Sequence, residues 1–245
     1  MQEKLTLSAT QTVLTGRHIY RSNNMCGIFG TTDFERFKTL YELNKDRGAF
    51  SFGAILFSEE GLCSVREPGI INADHYKHGF SHYLAHTQAP TSSQREFAEA
   101  TTHPFNVGDW TVAHNGVLSN DRELIANYDF HNTNEVDSSV IPALIDHCEI
   151  ITNDRNANEE SAIIDALQEL HGTFACWILN NKSKNIYIAR VGSTLFLNNK
   201  TGEFSSKKYK DFKTLPEGIL YKYNKTYNFF EPSTPFSYNS PYLIL

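Results

Sequence analysis

The sequence predicts an α+β protein in which two sheets pack together and helices cover the outside. Three observations point there. Short apolar and aromatic runs recur in both halves of the chain, and segments with helical apolar spacing lie between them. The 245 residues are 40% hydrophobic and 20% charged, enough to bury a sizeable core and too apolar for wholesale disorder. Aromatics at 13% fit strands and a well-filled interior.

CGIFGTTD, from Cys26, reads as a buried strand ending in a polar turn. Residues 34–45 place Phe34, Phe37, Leu40, Tyr41 and Leu43 at helical spacing. RGAFSFG breaks that pattern and opens the strand GAILFS, which pairs through Glu59, Glu60 and Gly61 with LCSVRE. Residues 74–81 are expected to form a short helix, followed by the strand HYLAHTQ. APTSSQREFAEATTHPF is polar, turn-rich and long, the kind of loop that carries function. WTVAHNG returns to strand. Asp121 is expected to cap a short helix through Asn127. Asp137 and Ser138 cap another, with Val140, Ile141, Leu144 and Ile145 on its apolar face. Residues 159–171 form a third, ended by Gly172. The strands TFACWIL, NIYIAR, TLFLN and GILYKY follow, and the tail 231–242 is rich in Pro, Ser and Asn before the apolar YLIL. No internal repeat is present.

Composition narrows the partners. Net charge is −6, and the basic cluster Lys207, Lys208, Lys210 and Lys213 is smaller than the stripe a nucleic-acid surface needs. Cys26, Cys63, Cys148 and Cys176 are scattered without C-x-x-C or metal-ligand spacing, which suits a reducing compartment. Residues 1–24 lack the continuous apolar core of a secretory signal, and no run approaches the length of a bilayer span. The expectation is a soluble cytoplasmic protein with neither nucleic-acid nor membrane partner. His75, His78 and His82 sit at i, i+3 and i+7, a spacing that on a helix aims imidazoles at a metal. Gly79 and the lack of a clear fourth ligand argue against one, so no metal or cofactor is expected.

Cys26 follows Met25, one of only two methionines. A cysteine at a chain's N-terminus brings its own base, since the α-amino group titrates near ~8 and such help is worth roughly 10²–10⁴ in rate. While residues 1–24 stay attached, that nitrogen is an amide and cannot serve. Those residues are either an upstream in-frame extension before a start at Met25 or a propeptide cut before Cys26, and a methionine at that position favours the first. The bland alternative for Cys26 is a small buried hydrophobe. AHNGVLSN places Asn115 and Gly116 after a strand, where a side-chain amide and a backbone N–H can hold an oxyanion of acyl transfer. The bland alternative there is a hairpin Asn-Gly. Strand alternation aims His114 away from Asn115, which suits a structural role.

Six segments come in a telling order: MCGIFG (25–30), RGAFSFG (47–53), AHTQAPT (85–91), THPF (102–105), AHNGVLSN (113–120) and VDSSVI (136–141). Together they resemble the class II glutamine amidotransferase domain, the N-terminal-nucleophile glutaminase, and GTFACWIL (172–179) resembles its later sheet strand. The resemblance covers residues 26–190 and fades over 191–245, so 25–245 is expected to be one such domain behind a 1–24 leader. It implies a four-layer αββα sandwich of two antiparallel sheets flanked by helices. It also implies hydrolysis of the side-chain amide of L-glutamine to glutamate and ammonia. Cys26 would attack the carboxamide, Asn115 and Gly116 would hold the oxyanion, and water would cleave the glutamyl thioester. Asp137 matches the carboxylate that receives the substrate α-ammonium, and capping a helix is compatible with that role. Thr91 matches a hydroxyl position in the substrate loop, and Arg47 a motif arginine near the nucleophile, in a binding or a structural role.

Gln88 departs from the pattern. The family commonly has arginine there, paired with the α-carboxylate of glutamine, and Gln cannot make that charged fork. A charge-assisted bond is worth roughly 1.5–3 kcal/mol, so an uncompensated loss means on the order of 10–100-fold weaker binding. Arg95, on the same loop, either supplies the missing guanidinium or is a solvated loop arginine. The ammonia would pass to a separate acceptor synthase. Two other readings stand beside this one: an N-terminal-Cys hydrolase of another amide, and a catalytically silent regulatory subunit if Cys26 is not exposed.

Overall fold

The computed structural model describes residues 26–77, 79–89, 96–131, 133–151 and 158–240. Along the chain come β1 (Gly27–Thr31), α1 (Phe34–Asn44), β2 (Ser51–Phe57), β3 (Leu62–Pro68), β4 (His82–Gln88), β5 (Phe105–Val107) and β6 (Trp110–Leu118). They are followed by α2 (Asp121–Tyr128), α3 (Val140–Ile151), α4 (Glu159–Glu169), β7 (Gly172–Asn180), β8 (Ile186–Val191) and β9 (Phe196–Asn198). The chain ends in β10 (Glu203–Ser205), β11 (Lys213–Thr214), β12 (Ile219–Asn224) and β13 (Phe229–Pro235). One seven-stranded sheet runs β11-β9-β10-β1-β4-β2-β3, and a six-stranded sheet runs β13-β12-β8-β7-β6-β5. All of these strand pairings are antiparallel.

Three apolar layers make this a four-layer αββα sandwich. Between the sheets lie Ile28, Ile55 and Leu84 from the first and Ala113, Trp177 and Ile188 from the second. Outside the first sheet, Phe29, Phe52, Tyr83 and Ala85 pack against Phe37, Leu40 and Tyr41 of α1. Outside the second, Val112, Phe174 and Ile178 pack against α3 and α4 through Leu144, Ile145, Ile163 and Leu167. Strands covered on both faces have no polar side to show, which is why β1 and β2 are buried along their whole length and read as unbroken apolar runs. The Trp177 indole N–H donates to the Ala85 carbonyl at 3.1 Å, tying the two sheets across their shared core.

Local signals explain most boundaries. The Asp33 side chain accepts from the Arg36 N–H at 2.8 Å and starts α1. The helix expected over 74–81 is a single 3₁₀ turn, Ala73–Tyr76, and Gly79, at φ +85°, could not have continued one. Asn120 rather than Asp121 precedes α2, and its side chain bonds elsewhere: it donates to the Glu169 carbonyl at 2.8 Å and accepts from the His171 N–H at 2.9 Å. Asp137 opens a 3₁₀ turn, Asp137–Ser139, and α3 begins only at Val140. The Pro-rich tail contributes β13, an edge strand, the position in a sheet where proline is tolerated. Among the described residues no helix is long and apolar enough to cross a membrane. The leader 1–24, Met25, His78, Thr91, Arg95 and the YLIL end lie outside the described residues.

Candidate active site

The site lies at one end of the cleft between the sheets. β1 starts at Gly27, so Cys26 stands at its mouth, half-buried. Side chains alternate along a strand: Phe29 belongs to the outer layer and Ile28 to the inner one, which turns Cys26 to the inner side. The pairing Gly27↔Thr87 continues to set Cys26 beside Gln88 of β4. Behind Cys26, Arg47 donates from Nε to the Cys26 carbonyl at 2.9 Å and from Nη1 to the Ser206 carbonyl at 3.5 Å. Arg47 therefore holds the backbone of Cys26.

The second sheet contributes the free edge of β6. β5 pairs with β6 only as far as Val112, and no described strand covers that edge over 113–118. Its backbone groups bond to other elements instead. The His114 carbonyl accepts from His86 Nε2 at 3.1 Å, and the Leu118 N–H donates to Asp137 Oδ2 at 2.8 Å. The pleat repeats every two residues, so the Gly116 N–H, between them, emerges on the same open edge. A side chain at Gly116 is impossible without rearrangement, because a Cβ there would stand 2.0 Å from the Thr173 carbonyl oxygen. Asn115 is buried, and its Nδ2 donates to Ser206 Oγ at 3.3 Å. An amide N–H and a backbone N–H thus stand on adjacent residues of one edge, the donor pair an oxyanion needs.

Asp137 is partly exposed beside that edge. Besides the Leu118 N–H it accepts the Ser138 N–H at 2.7 Å on Oδ1, leaving lone pairs for a cation. Ser138 Oγ lies 2.7 Å from His114 Nδ1, while His114 Nε2 faces the Thr173 carbonyl at 3.2 Å. A carbonyl can only accept, so Nε2 carries the ring proton, and Nδ1 and Asp137 Oδ1, at 2.7 and 3.1 Å, are the two acceptors facing the one Ser138 hydroxyl, an assignment read from the partners. Burial holds the His114 pKa below its ordinary value, so the ring stays neutral and braces the Asp137 turn.

Gln88 is fully engaged with its own chain. Its Nε2 donates to the Thr101 carbonyl at 3.1 Å, and its Oε1 accepts from the His103 N–H and from His103 Nδ1, each at 3.2 Å. Arg66 of β3 donates from Nε to the Thr102 carbonyl at 3.0 Å and the Pro104 carbonyl at 3.2 Å. The 101–104 segment is thereby laid across the inner face of the first sheet. It passes over Gly53, where a Cβ would come within 1.7 Å of the His103 carbonyl oxygen. The His103 ring stacks on His86 with centroids 3.9 Å apart. Both rings are buried and uncharged, with His86 pushed down to about 3 by burial and His103 held well below its ordinary value.

Burial raises the Cys26 thiol to about 11. A hydrogen bond from the Ala89 backbone and the Arg47 charge partly offset that rise, and the Asp137 charge adds to it. Such a thiol is ionised in only about one molecule in ten thousand at pH 7, so it needs a base before it can attack.

The structure therefore brings Cys26, Asn115, Gly116, Asp137, Arg47 and Gln88 to one end of the cleft, with Arg47 on the Cys26 backbone and Gln88 on the 101–103 backbone. Sequence reasoning missed Ser206, Arg66 and Ser138 as parts of the site. Of the histidines at 75, 78 and 82, His75 lies in the 3₁₀ turn and His82 stacks on Phe57, with centroids 4.5 Å apart. Among the described residues no group of three or more His, Cys, Asp or Glu side chains is placed to hold a metal ion.

Residues 96–207 match a family model for a glutamine amidotransferase domain. Glutamine–fructose-6-phosphate aminotransferase (isomerizing) of Staphylococcus epidermidis is 29% identical over 185 residues, covering 71% of this chain and 30% of that protein. The 7-cyano-7-deazaguanine synthase of Saccharolobus solfataricus is 26% identical over 198 residues, covering 71% of this chain and 40% of that protein. The chain thus spans 30–40% of the length of these curated relatives. Among solved structures, the glutamine phosphoribosylpyrophosphate amidotransferase from B. subtilis, complexed with ADP and GMP, matches with a TM-score of 0.65. It is 18% identical, over 88% of this chain and 50% of that one, a likeness that bears on the fold.

Proposed function

We propose that the chain, similar over residues 96–207 to a glutamine amidotransferase domain, acts as a class II glutamine amidotransferase and hydrolyses the side-chain amide of L-glutamine through a thioester on Cys26. The ammonia passes to a separate acceptor synthase. The observation that carries this reading is the open edge of β6. Asn115 and the Gly116 N–H stand there across the cleft from Cys26, with Asp137 held at the end of the same edge by the Leu118 N–H.

The chemistry follows from those positions. Once Cys26 is the first residue, its α-amino group takes the thiol proton and sulfur attacks the carboxamide carbon. The tetrahedral oxyanion is met by Asn115 Nδ2 and the Gly116 N–H. Collapse breaks the C–N bond, and the α-ammonium gives its proton to the leaving nitrogen, which departs as ammonia. Water, losing a proton to the same amine, then attacks the thioester, and glutamate leaves as sulfur regains a proton. Asp137 receives the substrate α-ammonium, a charged partner that rejects amides without a cation there.

Intact-mass analysis of the natively expressed protein, paired with an ammonia-release assay on glutamine, tests this. A chain beginning at Cys26 with glutamine-dependent ammonia release is the expected result. A chain that keeps residues ahead of Cys26 and releases no ammonia overturns the reading in favour of a silent regulatory subunit.

Gln88 favours a second reading. Its amide is committed to Thr101 and His103, where the family's arginine would meet a carboxylate, so the fold also suits an amide other than glutamine. A panel of amides assayed beside glutamine separates the two.

A further inference from the structure

Ser206 joins the two halves of the proposed machinery, and nothing about its place in the sequence announces it. It follows β10 directly and is 1% exposed. Its Oγ accepts two hydrogen bonds: one from the Ile28 N–H at 3.0 Å, two residues after the nucleophile, and one from Asn115 Nδ2 at 3.3 Å. Its backbone is bound as firmly, with the N–H donating to the Ile28 carbonyl at 2.8 Å and the carbonyl accepting from Thr194 Oγ1 at 3.0 Å. The Arg47 guanidinium that holds the Cys26 carbonyl also reaches the Ser206 carbonyl.

We infer that Ser206 is the positioning residue of the oxyanion site, setting the Asn115 amide relative to Cys26 through one hydroxyl shared between the sheets. Asn115 has two amide hydrogens. Ser206 takes one, which fixes the plane of the amide and leaves the other for the oxyanion. Without that acceptor the amide turns about its last side-chain bond, and its oxygen can face the developing negative charge. Because the same Oγ also accepts from the nucleophile's strand, the distance between donor and nucleophile is set by one atom rather than by the packing of two sheets. The inference rests on the glutaminase reading for its catalytic meaning and on the hydrogen bonds for its geometry.

The test compares Ser206→Ala, Ser206→Thr, Asn115→Ala and the Ser206→Ala/Asn115→Ala double variant, all with Cys26 exposed. Ser206→Ala should lower kcat for glutamine by about 10–100-fold with KM changed less than about twofold, the pattern of a contact made in the transition state. Ser206→Thr, which keeps the hydroxyl, should recover activity to within about tenfold of the parent. In the Asn115→Ala background the serine change should cost less than about threefold, because its target is gone. Alkylation of Cys26 by iodoacetamide, a displacement that builds no oxyanion, should keep its rate and so report an intact nucleophile.

A kcat unchanged in Ser206→Ala, or an equal loss with and without Asn115, overturns the inference. So does a loss confined to KM, or a fall in alkylation that matches the fall in kcat. If the parent protein releases no ammonia from glutamine, the glutaminase reading fails by itself. The inference is then decided by the Asn115 side-chain amide resonances, which must move in Ser206→Ala if Ser206 orients that group and are unchanged if it does not.

Discussion

The two walls of the cleft treat their polar groups in opposite ways. On the first sheet, Gln88, Arg66 and His103 bond to the protein's own backbone or to one another, and the 101–104 segment is strapped down over Gly53. On the second sheet, β6 runs past its neighbour β5 and presents an uncovered edge, with Asn115 and Asp137 only partly engaged. A sheet edge left open beside a nucleophile is a row of backbone donors already in place, whereas a wall closed by its own side chains offers shape. On the proposed reading, the end of the cleft that receives the α-ammonium has a carboxylate in place, Asp137, held by the Leu118 N–H. On the same reading, the end that receives the α-carboxylate has Gln88 bonded to Thr101 and His103.

Each wall can be broken separately. Replacing Cys26 with Ala should remove glutamine-dependent ammonia release altogether, since no thioester can form, and this is read in the ammonia assay. Asn115→Ala should cost roughly 10²–10³ in kcat while thermal stability changes little, which marks the open wall as catalytic. Asp137→Asn keeps an oxygen for the Leu118 N–H but loses the charge, so KM for glutamine should rise about 10–100-fold with kcat nearly kept. On the closed wall, Gln88→Leu should act on stability first. The His103 N–H and the Thr101 carbonyl lose a buried partner, and denaturant titration should show a loss of about 1–3 kcal/mol.

Acid provides the last distinction. His86, His103 and His114 all have folded-state pKa values below the ordinary 6.5 because burial disfavours their charge. Their contribution is complete above the unfolded-state value and is lost as pH falls below it, since the unfolded chain then binds protons the folded one refuses. With His86 at about 3, that residue alone should cost about 2 kcal/mol between pH 7 and pH 5. Thermal midpoints measured across that interval should fall, and His103→Phe should reduce the slope.

The sequence makes the open wall easier to read than the closed one. Asn115, Gly116 and Asp137 lie within one short stretch of chain, so a strand followed by Asn-Gly and a later acidic turn are visible as local pattern. Cys26 stands out for a similar reason, at the head of an apolar run and behind a rare methionine. β1, α1, β4 and β6 are equally plain, because burial leaves largely apolar runs in the strands and a helical period in α1. Ser206 leaves none. It is a lone polar residue after a three-residue strand, and its partner Ile28 lies 178 positions away. Gly53 carries a meaning that depends on where the His103 carbonyl passes, and Arg66 reads as an exposed-strand cation until the 101–104 segment is seen beneath it. In the tail, composition rich in Pro, Ser and Asn hides a strand, because an edge strand tolerates Pro232 and Pro235.

The placement of β1 between β4 and β10 has a consequence in time. β4 emerges soon after β1 during synthesis, but the strand on its other side is Glu203–Ser205, with Phe29 paired to Ser205 and Gly30 to Phe204. At the usual 5–20 residues per second, the second flank of the nucleophile's strand arrives roughly 10–35 s after the first residues of β1. Throughout that interval a nascent chain carries its cysteine without Ser206, although Arg47, which follows Cys26 by 21 residues, is made early. The order of translation thus holds this strand from the β4 side first, and the Ser206 link to Ile28 and Asn115 closes last.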